Sequence, residues 1–526
     1  MLVGSLRSYN HVTSSARLFS LHQPRLRRRF VSRFPSTMST THYNALILGS
    51  GQAGTPLATH LRGLGKTVCL VEREHIAGCC VNEGCTPTKT MVASGRMAYL
   101  ARRAADYGVH SARTGEVSVD MKKVRQRKRD IVNSFRGGSE RRLEGAGVDV
   151  VMGSARFVTE KEVVVAPTTT AGAGEEKRIS ADNIYINVGC RPSRPDIPGL
   201  DSIEQTRVLD STSIQELDEV PAHLVVIGGG YIGLEFGQLF RRLGAKVTIV
   251  HRGPRLLSKN DDPELVHCMQ DILREDGIDI LLNSSSTSIA PSTDDPNLPT
   301  TVSTSTPEKG EVELNTSHIL LATGRIPNTD SLNLPAAGIA TSQSGHIAVS
   351  PTLETNVAGV YALGDVKGGP AFTHISYDDF RIVRDSLALQ GSKTEGSVKT
   401  TEQRKPHVPS VVYTDPQFAH IGPKFGDLPR GKKVVTYSMP ASWIARGLET
   451  DETRGMLKAM VDAETEQIVS FSAIAVEGGE VMAVVQMAML GGLTWTVLRE
   501  GVFAHPSWAE CLNNLWGGER REVTVE

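Results

Sequence analysis

The sequence predicts an α/β chain built around two Rossmann-like nucleotide-binding units, and three observations carry that prediction. The first is NALILG running into GSGQAG at residues 44–54, followed by a helical stretch and KTVCLVE, which closes on Glu72. The second is the same order at residues 222–252, AHLVVIGGGYIGLEFGQLFRRLGAKVTIVHR. The third is a shared spacing: Gly49 to Glu72 and Gly228 to His251 each span 23 residues. One GxGxxG is weak evidence, whereas two with matching flanks imply two nucleotide sites in one chain.

The rest of the chain is read around those units. Its 526 residues suffice for roughly three or four domains. The apolar fraction is 39%, the charged fraction 22% and the net charge −1, so no overall field favours nucleic acid or a membrane surface. No apolar run approaches the length of a membrane span. The seven cysteines, at 69, 79, 80, 85, 190, 268 and 511, are too few and too uneven for a secreted disulfide scaffold. Residues 1–43 hold seven arginines, many serines and no acidic residue, the composition of a mitochondrial transit peptide. The alternative is a start at Met38, where MSTTHYNALILG would open a cytoplasmic enzyme.

Along the chain, residues 90–145 read as helices with solvated Arg/Lys faces, and 150–190 as short strands interrupted by an exposed loop, APTTTAGAGEEKR (166–178). Residues 284–311, rich in Ser, Thr and Pro, read as a surface excursion. Residues 389–406 read as a polar linker, and 407–526 as strands with a long helix near 478–491 and a short tail.

In the first unit Gly49, Gly51 and Gly54 allow a tight turn and close approach to a pyrophosphate, which the following helix N-terminus favours. Glu72 is placed to accept hydrogen bonds from an adenosine ribose. Gly228, Gly230 and Gly233 do the same in the second unit. There His251 and Arg252, with Arg255 close by, stand where an NAD site carries an acid. This pattern predicts a cationic site for a 2′-phosphate and a preference for NADPH, with NADH possible. A hydride donor beside a second nucleotide implies FAD, which turns hydride chemistry into delivery to a disulfide. The acceptor is in AGCCVNEGCTPTK (77–89), where Cys80 and Cys85 stand before a helix carrying Pro87 and Lys89. A zinc site would need a second ligand pair, and none is visible; no metal is expected. Cys69, Cys190 and Cys268 read as packing residues.

CVNEGCTPTK resembles the class I pyridine nucleotide-disulfide oxidoreductases, the family of glutathione reductase, lipoamide dehydrogenase and mercuric reductase. The likeness runs over nearly all of residues 43–516. INVGCRP (186–192) and ATGRIPN (322–328) resemble the family's domain-crossing segments, and TNVAGVYALGD (355–365) its second FAD motif. VPSVVYTDPQFAHIG (408–422) resembles the opening of a C-terminal α+β dimerisation domain, and FAHPSWAE (503–510) the C-terminal active-site segment. GDVKGGPAFTHISYDDFRIV (364–383) and HPSWAECLNNLW (505–516) lean toward the mercuric-reductase-like branch, which includes reducers of hypothiocyanous acid.

The resemblance implies roles. Cys80 would attack substrate and Cys85 would face the flavin. Lys89 would lie near the flavin's reactive nitrogen and pair with Glu235. Tyr231 would cover the nicotinamide pocket, and Asp365 would meet the ribityl chain. Gly153 and Gly324 fall among the cofactor-binding residues. His505, held by Glu510 and supplied by the opposite subunit, would be the acid–base, which makes a homodimer necessary. The chain departs from the branch twice. No cysteine pair follows Trp516, which disfavours Hg(II) as acceptor, and Cys79 stands where the family has threonine, read here as a small polar replacement. The expected domains are 43–195 and 328–400 for FAD, 196–327 for NAD(P) and 405–526 for dimerisation. The expected activity is reduction of a small oxidised acceptor by NADPH through the Cys80–Cys85 disulfide. The alternatives are glutathione-reductase or lipoamide-dehydrogenase activity, a quinone reductase or oxidase that bypasses the cysteines, or a non-catalytic flavoprotein.

Overall fold

Two parallel sheets grow from the two glycine turns, because a helical crossover returns the chain to lay the next strand parallel to the last, with both faces of the apolar strands covered. The computed structural model describes residues 39–110, 117–168, 174–257, 262–307, 310–389 and 399–525. The arginine-rich leader and the targeting expectation attached to it lie outside these residues. In the first sheet β1 (Thr40–Leu48) lies between β2 (Val68–Glu72) and β6 (Lys177–Ile186), in register Ala45↔Val68 and Leu46↔Ile184. Beyond β2 is β3 (Asp149–Met152), and beyond β6 are β5 (Glu162–Ala166) and β4 (Ser154–Thr159). Helix α1 (Gly54–Gly63) crosses from β1 to β2. The helices α2 (Gly78–Asn82), α3 (Cys85–Arg102) and α4 (Met121–Gly145) then lead to β3.

The chain leaves this sheet through β7 (Cys190–Pro192). The second sheet holds β8 (Val208–Leu209), β9 (His223–Ile227), β10 (Lys246–Val250), β11 (Ile278–Leu281) and β15 (His318–Leu321), in the order β11-β10-β9-β15-β8. Helices α5 (Tyr231–Leu243) and α6 (Pro263–Glu275) supply its crossovers. The chain returns through β16 (Arg325–Pro327), which pairs antiparallel with β7. The two crossing segments quoted from the sequence are therefore a two-stranded ribbon. Strand β17 (Val360–Ala362) then rejoins the first sheet beside β6, and α7 (Thr373–Leu389) follows. The C-terminal sheet is antiparallel: β18 (Ser410–Val412), β19 (Gln417–Ile421), β20 (Lys433–Pro440), β21 (Met456–Asp462), β22 (Ile468–Ala475) and β23 (Glu519–Thr524). The helix Gly478–Leu490 packs on it through Val481, Met482 and Val485. No helix of the described residues is long and apolar enough to cross a membrane.

Four expectations are corrected. Residues 284–311 do not form a plain excursion: β12 (Ser285–Pro291), β13 (Thr300–Thr306) and β14 (Gly310–Thr316) make an antiparallel meander. Its Ile289 and Val302 are buried against Val225 and Ile319 of the second sheet, so the segment borrows a core that its own composition lacks. The loop at 166–178 is shorter than expected, since β5 runs to Ala166 and β6 starts at Lys177. The linker is partly anchored. Thr400 and Gln403 form a capping box, while Lys399 and Arg404 pair with Asp378 on α7. The tail is β23, an edge strand on β20 in register Tyr437↔Arg520.

A buried ionic junction brings three regions together. Asp415, after β18, accepts from Arg96 on α3 at 2.5 Å and from Arg242 on α5. The Arg242 guanidinium lies 4.0 Å from the centre of the Tyr99 ring. Pairing of this kind sets how elements meet more than it adds net stability. Here it holds the helix that starts at Cys85 against the helix that starts at Tyr231.

Candidate active site

The two cysteines are presented by a short connection. Cys80 ends its turn inside α2, Cys85 opens α3, and Gly84 stands between them. A Cβ on Gly84 would come within 3.0 Å of Cys79 O and 3.1 Å of Cys80 Cα, so a larger residue would have to push the loop apart. Asn82 donates to Ile76 O and Gly78 O, and Gln215 donates to Glu83 O at 2.7 Å, which fastens the loop from both sides.

The sulfurs meet at one hydroxyl. Thr373 Oγ1, at the start of α7, donates to Cys80 Sγ at 3.0 Å and lies 3.3 Å from Cys85 Sγ. Cys80 and Cys85 are also hydrogen-bonded to each other. The hydrogen bond from Cys80 is the main reason the Cys85 thiol is lowered from 9.0 to about 6; Thr373 and the Lys89 ammonium help, against burial and Glu235. The same hydrogen bond, with burial, pushes Cys80 up. The pair therefore holds its charge on Cys85 and its proton on Cys80.

Lys89, one turn into α3, donates to Glu235 Oε2 at 2.7 Å, as expected, and its ammonium lies 4.8 Å from the Tyr413 ring centre. Glu235 is 9% exposed, and its other oxygen accepts from Tyr413 N at 2.8 Å. Tyr231 stacks on Phe372 at 6.2 Å, and Phe372 stacks on His374 at 5.2 Å.

These groups line one large cavity of about 940 Å³, which continues past Gly153, Asp365 and Arg325 to Gly49, Gly51 and Glu72. The cavity suits a dinucleotide. Gly49 turns with φ +99°, and a Cβ there would strike Asn187 O at 2.4 Å. Helices α1 and α5 both begin without a side-chain cap and without an acidic residue in the first turn, so their N–H groups are left to an anion. At Gly230 a Cβ would meet nothing within 4 Å, so the open space there is available to a ligand. Glu72 already accepts from Ser50 N at 3.0 Å, Ser50 Oγ at 2.6 Å and Glu74 N at 3.0 Å, which holds its carboxylate at the rim of the cavity. Burial raises the Asp365 carboxyl, against the pull of Arg325 and Lys367.

Other expected residues lie outside this cavity or act differently. Gly228 and Gly233 form the second turn, and Gly324 accepts from Ser193 N in the β7–β16 crossing, but none of the three lines the cavity. His505 Nδ1 bonds Glu510 at 2.9 Å as expected; it too is absent from the cavity wall, and its side chain is 66% exposed. His251 is corrected. Its ring folds inward, its Nδ1 accepts from Gly229 N at 3.2 Å, and burial, with Arg252 beside it, lowers its pKa. It braces the turn as a neutral ring and does not complete a cationic pair. Arg252 and Arg255 make no ion pair with a described residue. Cys190 is also corrected, because it lines the cavity and donates to Asp365 O at 3.4 Å. Cys79 faces Arg325 Nη2 at 3.6 Å; it opens to the cavity but is enclosed on its other sides, which raises its thiol. Arg325 and Thr373 sat inside quoted motifs, yet nothing in one sequence marked them as partners of sulfur.

Residues 43–379 match the pyridine nucleotide-disulphide oxidoreductase family, and residues 408–515 match that family's dimerisation domain. Among curated relatives, the probable pyridine nucleotide-disulfide oxidoreductase RclA of Escherichia coli is 33% identical over 485 residues, covering 90% of this chain and 98% of that protein. The mercuric reductase of Bacillus cereus is 32% identical over 480 residues, 89% of this chain and 70% of that protein. Among solved structures, the HOCl-induced flavoprotein disulfide reductase RclA from Escherichia coli superposes with a TM-score of 0.78 at 33% identity, over 90% of this chain and 99% of that one.

Proposed function

The chain belongs to the pyridine nucleotide-disulphide oxidoreductase family, and from that premise we propose a homodimeric enzyme that uses NADPH to reduce a small oxidised acceptor through Cys80 and Cys85. It is a flavoprotein disulfide reductase working with FAD and NAD(P)H. Bound along the cavity, FAD would supply the two-electron chemistry that links the nicotinamide to the disulfide.

The observation that carries the proposal is the meeting of both sulfurs at Thr373 Oγ1 beside the Lys89–Glu235 pair, within the cavity that reaches the Gly49 turn. Gly49, Gly51, Gly54, Glu72, Gly153 and Asp365 hold the dinucleotide, and Tyr231 covers the nicotinamide position. Cys85 carries the negative charge of the reduced pair. Cys80 is the sulfur that attacks, giving up its proton as it does so. The partner subunit's His505 takes that proton, braced by Glu510; the exposure of His505 and its absence from this subunit's cavity lining support a role across a dimer. Arg252 and Arg255 supply the charge for a 2′-phosphate. Residues 43–195 and 328–400 form the FAD domain, joined through β17 on β6, with 196–327 for the nicotinamide cofactor and 405–526 for dimerisation.

The acceptor class is a low-molecular-weight disulfide or a hypothiocyanous-acid-like oxidant. The likeness to an HOCl-induced reductase supports the second. A panel of such acceptors with NADPH tests it, with the double variant Cys80→Ser, Cys85→Ser as control. Turnover should vanish in the double variant; turnover that survives there refutes the disulfide route.

A further inference from the structure

We propose that Thr373 is a catalytic residue of the dithiol centre, whose hydroxyl, within reach of both sulfurs, gives its hydrogen bond to whichever of them bears the charge as the centre reacts. The inference rests on the disulfide reading above and extends it. Here both hydrogen bonds that the structure gives Thr373 Oγ1 run to sulfur, at 3.0 Å to Cys80 and 3.3 Å to Cys85.

The mount around the hydroxyl is stiff. Phe372, before it, stacks on Tyr231, and His374, after it, stacks on Phe372 and donates to Pro409 O at 2.9 Å. The hydroxyl has one proton and can rotate between two acceptors. When Cys80 attacks, its S–H bond breaks, the proton passes to the partner subunit's His505 as a new N–H bond, and the threonine proton turns to the new anion. No outside reagent is needed. The other groups facing the sulfurs are Lys89 on α3, Glu235 on α5, Tyr413 after β18, and Cys79 on α2. None of them offers a neutral, two-way donor to both sulfurs.

The test reduces holoenzyme anaerobically with NADPH and follows alkylation by iodoacetamide at Cys80 and Cys85 separately, by peptide mass spectrometry, across pH. Thr373→Val keeps the shape and removes the hydroxyl, and Thr373→Ala is a second hydroxyl-free variant should the first fold poorly. Either should move both half-reaction points up by about one pH unit, roughly tenfold less thiolate at a given pH. Thr373→Ser should keep the wild-type profile. Unchanged profiles in Thr373→Val, or a Val-like shift in Thr373→Ser, would overturn the role of Thr373. If wild type itself gained no thiols on reduction, the disulfide reading would fall instead, so the two failures are distinguishable.

Discussion

Acidification should discharge Cys85 near pH 6, well below where a free cysteine titrates. The thiol is lowered from 9.0 to about 6, chiefly by the hydrogen bond from Cys80, with Thr373 and Lys89 adding to it. Near neutral pH, roughly nine-tenths of Cys85 would then be thiolate, against roughly one-hundredth for a thiol left at its ordinary value. Because the shift is downward, the charge is present above the lowered value and is lost as pH falls through it. Cys80→Ala removes the largest stabilising contact and should move the Cys85 midpoint upward. The assay is site-resolved alkylation of the reduced protein between about pH 4.5 and pH 9, a range bracketing both values. A wild-type midpoint above about pH 8, close to a free thiol, or a midpoint indifferent to Cys80→Ala, would refute the reasoning.

Three further outcomes follow from the same geometry. His505→Ala should lower turnover by roughly 10²–10⁴-fold, the range for a lost general acid–base. Mixed dimers of His505→Ala and Cys80→Ser chains should recover activity that neither homodimer has, and no recovery would place His505 outside the partner's site. Arg252→Ala with Arg255→Ala should raise KM for NADPH by roughly tenfold to a hundredfold while leaving NADH use unchanged, as expected for lost charge-assisted hydrogen bonds; equal effects on both cofactors would remove the 2′-phosphate assignment. Asp415→Asn removes the nearer of the two carboxylates that face the Arg242 guanidinium, whose side chain is only 6% exposed, and leaves Asp276 at 3.7 Å; it should cost about 1–3 kcal/mol in a denaturation measurement.

What the sequence revealed was what is written in local spacing. The glycine turns, Glu72 and the Cys80–Cys85 loop were legible because each is bound to a motif with its own geometry, whereas the Lys89–Glu235 pair, 146 residues apart, came only from the family resemblance. The misses share a different cause. The Ser/Thr-rich stretch at 284–311 reads as unstructured because its apolar content is low, yet Ile289 and Val302 need only a neighbouring sheet to bury against. His251 carries no sign in its letters of whether its ring points outward to a phosphate or inward to Gly229 N. Cys190 and Thr373 become part of the site through contacts over 175 residues to Asp365 and 293 residues to Cys80, a separation no local pattern encodes.

The most direct measurement is an anaerobic count of reducing equivalents taken up per subunit of purified holoprotein, in wild type and in the Cys80→Ser, Cys85→Ser double variant. The account predicts about four electrons in wild type, two on the flavin and two as new thiols, and about two in the double variant. Uptake of about two electrons by wild type, with no thiols gained, would contradict it.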